Sequence, residues 1–490
     1  MLTGSSRRPR APRRKQFLAA LFAGVLFAQA GLASVVPVDD AARVLAGLPP
    51  SPGSPLETIT AGNAWKSRSG LFSESWKRFE ASQLSRARAW ADRELPDARR
   101  SAPVLYYAFS GPDIVYANTF FPDSTTYVLC GLEPVGRVPD LLALAPAKAD
   151  DALRRLHASL SNILSLSFFI TKNMSSDLRS PVLPGTTPIL LTFLARMGKT
   201  VRDATPVALD RSGNEVPADA SGGAPADRKD LVPGIKIDFD SGPGTPVQTL
   251  YYFCTNISNE GLKGNGGFAN FCRKLRPGAG FVKAASYLMH GAQFSAVRDL
   301  LLERCQFILQ DDSGIPATVL ADQNWQIRPY GRYKGPIKLF RGYHQKKLDQ
   351  IFAVAEHKPL DFGLGYQHRA GDCSLVLASR GDAATQPDLP AVAAAAPVVD
   401  SAPPLPEIEP APAPAPAPFV AQASAAPTGA PEAALRPADS KATKKALIAL
   451  EEEELRIRAD ASLSREERAR KLREVWDKQL VVMGKSAKRS

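Results

Sequence analysis

From Pro406 to Pro418 the chain runs into an unbroken series of Ala-Pro pairs, and no packed core can include such a stretch. Each proline lacks a backbone N–H and holds φ near one value, so the segment is stiff and extended rather than folded. Whatever folds must therefore lie on either side of it. The Ala/Pro-rich composition extends the linker over residues 382–440, leaving a body at 71–381 upstream and a short segment at 441–485 downstream. Downstream, Ala446–Arg458 and Arg465–Met483 read as two helices, with Ser464 and Glu467 forming a capping box between them. Leu472, Val475, Trp476, Leu480 and Met483 give the second an apolar stripe. This predicts a separate C-terminal helical hairpin with coiled-coil-like packing, too small to be stable alone and suited to docking or self-association.

The other end of the chain predicts export. Arg7, Arg8, Arg10, Arg13, Arg14 and Lys15 precede an apolar run from Phe17 to Phe27, and Ala28-Gln29-Ala30 and Leu32-Ala33-Ser34 follow. A charged start, a short apolar centre and small residues at the cleavage point form a secretory signal peptide, placed at 1–33. The run is about a dozen residues, short of the roughly 20 that cross a bilayer as a helix. No later stretch of the sequence approaches that length, so no transmembrane segment is expected after cleavage. Residues 34–70 are rich in Pro, Gly and Ser and are expected to be a poorly ordered lead.

The net charge of +12 over 490 residues invites a nucleic-acid reading. Half of that charge sits in the leader, however, and no clustered motif directs the body to nucleic acid. There are five cysteines, an odd number for an oxidising compartment. Cys254 and Cys272 are the pair expected to join if any disulfide forms.

Within the body, runs suited to strands alternate with helical spacing. Phe72 to Leu95 reads as an amphipathic helix through Phe72, Trp76, Phe79, Leu84, Ala87 and Ala91. Strands are predicted at Val104–Phe109, Thr125–Leu132, Thr200–Leu209 and Gln306–Gln310. Helices are predicted at Asp150–Ile170, from a Thr187-Pro188 start, at Gly280–Met289, at Ala296–Arg304 and at His344–Ala355. Leu360–Tyr366 and Ser374–Arg380 flank a Gly371-Asp372 turn and predict a hairpin. The fold class is thus α/β, a mixed sheet with helices packed on it. Thr249-Leu250-Tyr251-Tyr252-Phe253 echoes Val104-Leu105-Tyr106-Tyr107-Ala108, and the order of elements after each is similar. That suggests two duplicated lobes, at 100–215 and 234–381.

No nucleophile elbow, zinc-protease helix, phosphate-binding lysine loop or calcium loop occurs, and the five histidines have no metal-ligand spacing. No cofactor and no metal is expected, and whether the protein is an enzyme stays open. Three places carry chemistry. Ser110-Gly111-Pro112-Asp113, with Tyr116 and Asn118, follows a core strand, where α/β sites gather; Asp113 equally suits a turn whose carboxylate accepts backbone amides. Asp311-Asp312-Ser313-Gly314 again follows a strand; its paired carboxylates suit proton transfer or a cation, or merely a turn. Arg328 to Lys347 carries seven cations and no acid, interleaved with aromatics. Arg328, Tyr330, Tyr333 and Lys334 are its leading binding candidates, for sugar polymers or anionic groups.

The run from Ser110-Gly111-Pro112-Asp113 through Tyr116-Ala117-Asn118 and Phe121-Pro122 to Gly131-Leu132-Glu133-Pro134 resembles a family of uncharacterised exported bacterial proteins. Gln310-Asp311-Asp312-Ser313-Gly314-Ile315-Pro316, Pro329-Tyr330-Gly331 and Phe362-Gly363-Leu364-Gly365-Tyr366 add to the likeness. The resemblance spans about Val104 to Arg380 and implies secretion and one integral body, but no substrate. The expectation from the whole is a non-catalytic envelope or periplasmic protein that binds an envelope protein or an anionic polymer. The alternative is a periplasmic hydrolase or transferase using Asp113 or Asp312 in a cleft between lobes.

Overall fold

The computed structural model describes residues 36–144, 151–157, 183–218, 230–354 and 359–380, with a few isolated positions besides. The leader, the Ala/Pro linker, the C-terminal helices and most of the helix expected at Asp150–Ile170 lie outside the described residues. Ten strands are described: β1 Val104–Tyr107, β2 Thr126–Gly131, β3 Thr200–Leu209, β4 Glu215–Pro217, β5 Val232–Asp240, β6 Gln248–Cys254, β7 Gly278–Val282, β8 Cys305–Gln310, β9 Trp325–Gly331 and β10 Ser374–Arg380. They form one mixed sheet in the order β4-β3-β5-β6-β2-β1-β7-β8-β10-β9. Its centre, β6-β2-β1-β7-β8, is wholly parallel, with Val104 level with Thr126 and Tyr127 level with Leu250. Antiparallel strands finish both sides.

Parallel strands buried on both faces favour apolar runs over alternation, and Val104–Tyr107, Tyr127–Cys130 and Gly278–Val282 are such runs. In β1, Leu105 and Tyr107 enter the core of one face while Val104 and Tyr106 enter that of the other. The first face is covered by α1 (Val38–Leu45), α3 (Asn63–Phe79), α4 (Ser85–Glu94), α6 (Ile114–Phe120) and α7 (Thr187–Arg196), with two shorter helices, α2 (Glu57–Thr60) and α5 (Pro96–Arg100), between them. The second face is covered by α8 (Asn259–Gly264), α9 (Gly267–Lys274), α10 (Ser295–Arg304) and α11 (Ala317–Asp322). A last helix, α12 (Lys346–Val354), packs Leu348 and Phe352 on Val376. The mixed α/β class expected from the sequence is therefore what the chain adopts.

Several local readings need correction. The lead is ordered from Val38: Asp40 accepts a hydrogen bond from Ser51 N at 2.8 Å, and Ala42, Val44 and Leu45 are buried against α7 and β3. The Pro/Gly-rich residues that suggested disorder come only after this helix. Gly280–Met289 is not a helix; its first residues belong to β7, and the turn after it holds Ala284, Ser286 and Tyr287 at positive φ. Glycine is needed in β7 because a Cβ at Gly278 would sit 1.9 Å from the carbonyl oxygen of Val104 in the neighbouring strand. The predicted hairpin does not form either. β10 lies between β8 and β9, and Leu360–Tyr366 contributes only an isolated bridge from Leu364 to Gln367. Nor are there two lobes, since β5 and β6 of the second predicted lobe lie between β3 and β2 of the first.

The long amphipathic helix does form, with one irregularity that its sequence explains. Phe72, Trp76 and Phe79 step by three or four residues, but Phe79 to Leu84 is a step of five. A π-helical turn at Glu80–Leu84 absorbs the surplus residue and keeps Leu84, Ala87 and Ala91 on the buried face.

Candidate functional site

The chain passes from β1 to β2, crosses to β3 and β4 at one edge and comes back through β5 and β6, and only then crosses to β7 and β8 on the other side of β1. Strand order thus reverses between β1 and β7, and in open α/β sheets ligands bind beyond the carboxyl ends of strands at such a point. Four of the five described non-glycine residues with positive φ sit there: Phe109 after β1, and Ala284, Ser286 and Tyr287 after β7. Backbone strain of this kind persists only where surrounding contacts impose it.

After β1, the Ser110 hydroxyl donates to Cys130 O at 3.1 Å and accepts from Cys130 N at 3.0 Å, tying the turn to β2. Asp113 then caps α6, its Oδ1 accepting from Tyr116 N at 3.2 Å. Its Oδ2 accepts from Tyr107 Oη at 2.9 Å and from Lys283 Nζ at 2.8 Å. Lys283 directly follows β7, and its ammonium also lies 4.7 Å from the centroid of the Tyr116 ring. Burial, and then the Asp113 charge, raise the Tyr107 hydroxyl well above the ordinary tyrosine range.

Beyond β8, Asp311 accepts from Ala284 N at 2.8 Å through Oδ2, and from Ser313 N at 2.9 Å and Ser313 Oγ at 2.5 Å through Oδ1. Asp312 Oδ2 accepts from Tyr287 Oη at 2.6 Å. These bonds hold the strained turn after β7. Tyr366 completes the hold, with Oη accepting from Ser286 N at 3.1 Å and donating to Ala284 O at 3.0 Å. Gly365 must be glycine here, since a Cβ would lie 2.1 Å from Asp311 Oδ2 and φ is +59°. Burial raises the Asp311 carboxyl, against the pull of its hydrogen bonds and of nearby Lys283. Burial and the Asp311 charge push Asp312 up to about 7.

The structure thus joins Asp113, Tyr116, Asp311 and Asp312 at the carboxyl end of the sheet, with Lys283 between the two segments. Asn118 does not belong with them. It donates to Tyr127 Oη at 2.8 Å at the opposite end of β2 and holds α6 to the sheet. The carboxylates are sealed, Asp113, Asp311 and Asp312 being 0%, 3% and 6% exposed. Among the described residues they do not line a cleft between lobes. A cavity of about 540 Å³ lies elsewhere, along β3 and β4, lined by Thr205, Val207, Glu215 and Pro217 among others.

Arg328 to Lys347 lies across the same end of the sheet. Tyr330, on β9, sets its ring edge-on to Trp90 at 5.0 Å, with Arg328 beside it. Tyr333 stacks on His344 at 5.7 Å and accepts from Gln345 N at 3.0 Å, and Lys334 pairs with Asp372. Past them a short 3-10 segment, Lys338–Tyr343, seats Tyr343 on Tyr287 at 5.1 Å and Phe340 on Tyr366 at 5.0 Å. Gln345 Nε2 donates to Asp312 O at 2.8 Å. The basic segment is therefore bolted to the carboxylate cluster through aromatic rings and one amide.

Lys283 and Tyr287 were not singled out from sequence, and Tyr107 and Tyr366 were named there in a strand echo and a resemblance, not as site residues. A lysine abutting an apolar strand was the available signal. There is no acid between Glu260 and Asp299, so its partner had to come from a distant segment. Cys254 and Cys272 are not a disulfide. Both are free thiols, Cys254 on the first face of the sheet and Cys272 in the core of the second, with the sheet between them. Among the described residues no group of three or more His, Cys, Asp or Glu is placed to hold a metal.

No family model, curated protein or solved structure matches the chain. Function must therefore be argued from the site alone.

Proposed function

We propose that this is an exported, non-catalytic protein that binds a polyanionic partner of the cell envelope through Arg328–Lys347. The observation that carries this is the distribution of charge and rings in that segment. Between Gln323 and Leu348 there are seven cations and no acid, and Arg328, Arg332, Lys338, Arg341 and Lys346 are exposed. Its aromatics face the other way, spent on Trp90, His344, Tyr287 and Tyr366. Rings turned inward offer no platform for stacking on neutral sugars, whereas exposed surface cations suit phosphate, sulfate or carboxylate groups. Against catalysis stand the carboxylates themselves, each sealed and satisfied by neighbours within the fold. A general base must reach the proton it removes.

The test is retention on immobilised dextran sulfate against uncharged dextran. The protein should bind the sulfated matrix in a salt-sensitive manner, and Arg332→Glu/Lys338→Glu/Arg341→Glu/Lys346→Glu should lose most of that retention. A quadruple variant that folds and binds like the parent would sink the reading. Export is tested separately: the mature protein should begin just after residue 33, and recovery of the intact Met1 form from the cytosol would reject it.

A further inference from the structure

We infer that the Lys338–Tyr343 turn is a docking surface for an anionic lipid bilayer, an inference that rests on the reading above and names its partner. The observation is Leu339. It is 74% exposed, the most exposed large apolar side chain among the described residues, and it lies between Lys338 and Arg341. It is not loosely placed. Phe340 N donates to Ile337 O at 2.8 Å, and the rings of Phe340 and Tyr343 are packed on Tyr366 and Tyr287. The fold thus anchors the turn by its inward rings and presents the leucine and two cations outward as a fixed set.

A soluble polyanion would use the cations and leave the leucine in water. A membrane interface uses both. The side chain enters the boundary between headgroups and acyl chains while the cations meet lipid phosphates, which is how peripheral segments hold to bilayers. The lack of any acid from Gln323 to Leu348 supplies the charge complementarity. Such an attachment is peripheral, and among the described residues no helix is long and apolar enough to cross a membrane.

The experiment compares the mature full chain on two ligands: sedimentation with vesicles of equal parts phosphatidylglycerol and phosphatidylcholine, with pure phosphatidylcholine vesicles as the control, and retention on dextran sulfate. The parent should sediment with the anionic vesicles only. Leu339→Ser, at so exposed a position, should bind those vesicles about 10-fold more weakly, for the loss of one buried leucine. It should hold dextran sulfate as before. Lys338→Glu/Arg341→Glu should weaken on both. Failure to sediment, or a Leu339→Ser variant that sediments like the parent, overturns the inference. If dextran sulfate is retained while vesicles are not, the polyanion reading survives without the membrane. If neither is bound, both fall.

Discussion

Replacing Lys283 by methionine tests whether the carboxyl-end cluster holds the fold together. The change keeps the aliphatic stem and roughly the volume, and removes the charge that lies 2.8 Å from Asp113 Oδ2. Both side chains are almost fully enclosed, at 3% and 1% exposure. In Lys283→Met, Asp113 keeps the Tyr107 hydroxyl and the Tyr116 amide but loses the ammonium paired with it in a site almost closed to water. Removing one member of a buried ion pair costs about 3–5 kcal/mol, because the survivor is left charged and uncompensated. Against a total stability of roughly 5–15 kcal/mol, that is a large fraction. The pair itself need not be net stabilising, and the second mutation separates the two ideas. Asp113→Asn/Lys283→Met removes both charges, leaves an acceptor for Tyr107, and keeps a good helix cap on α6. It should recover part of the loss, the remainder reflecting Asp311, which also lies near the Lys283 charge. Urea unfolding of the four proteins, followed by tryptophan fluorescence, completes the cycle. A Lys283→Met variant within about 1 kcal/mol of the parent, or a double variant no better than the single one, would refute the argument.

The same cluster sets a pH dependence. The folded Asp312 carboxyl stands at about 7 against an ordinary 3.8, so it contributes stability at low pH that is lost as pH rises through that interval. His157 and His290, each depressed to about 4 by burial, act oppositely and lose stability as pH falls below 6.5. The parent curve mixes both, so the informative quantity is its difference from Asp312→Asn: the variant should gain relative stability from pH 4 to 7, by on the order of a few kcal/mol, and a flat difference refutes the assignment. Alkylation in denaturant without reductant should label all five cysteines. Native alkylation should reach Cys254 first, though slowly because its thiol is pushed up to about 11. Protection of the Cys254 and Cys272 thiols in denaturant would reverse that prediction.

β1, β2 and β8 could be read from sequence because burial demands largely apolar runs such as Val104–Tyr107, whereas β7 was not, its residues from Gly280 having been read as the start of a helix. The capping turn at Asp113 was equally readable, since residue type and position after a strand specify it. The apparent duplication shows the limit of such reading. Val104–Tyr107 and Thr249–Phe253 look alike because both form largely buried strands of one sheet, and a shared environment selects shared residues. The order of strands across the sheet leaves little mark in local composition, so neither the reversal beside β1 nor the meeting of Asp113 with Lys283 could be foreseen. The disulfide failed on parity: successive side chains of β6 point to opposite faces, which puts Cys254 on the side away from Cys272. In the basic segment the interleaving of rings and cations was visible, but which of them would face the solvent depended on Tyr287 and Tyr366, far away in the chain.

Among the described residues β9 has a single neighbour in the sheet, and that neighbour is β10, the last strand described. Until residues 374–380 are available, Trp325–Gly331 has nothing to pair with, and β8 keeps a bare flank. A polypeptide emerging from a ribosome or threading through a narrow channel thus cannot close this side early. Completion waits for almost the entire body to be delivered, so assembly of that margin is coupled to the arrival of its final stretch.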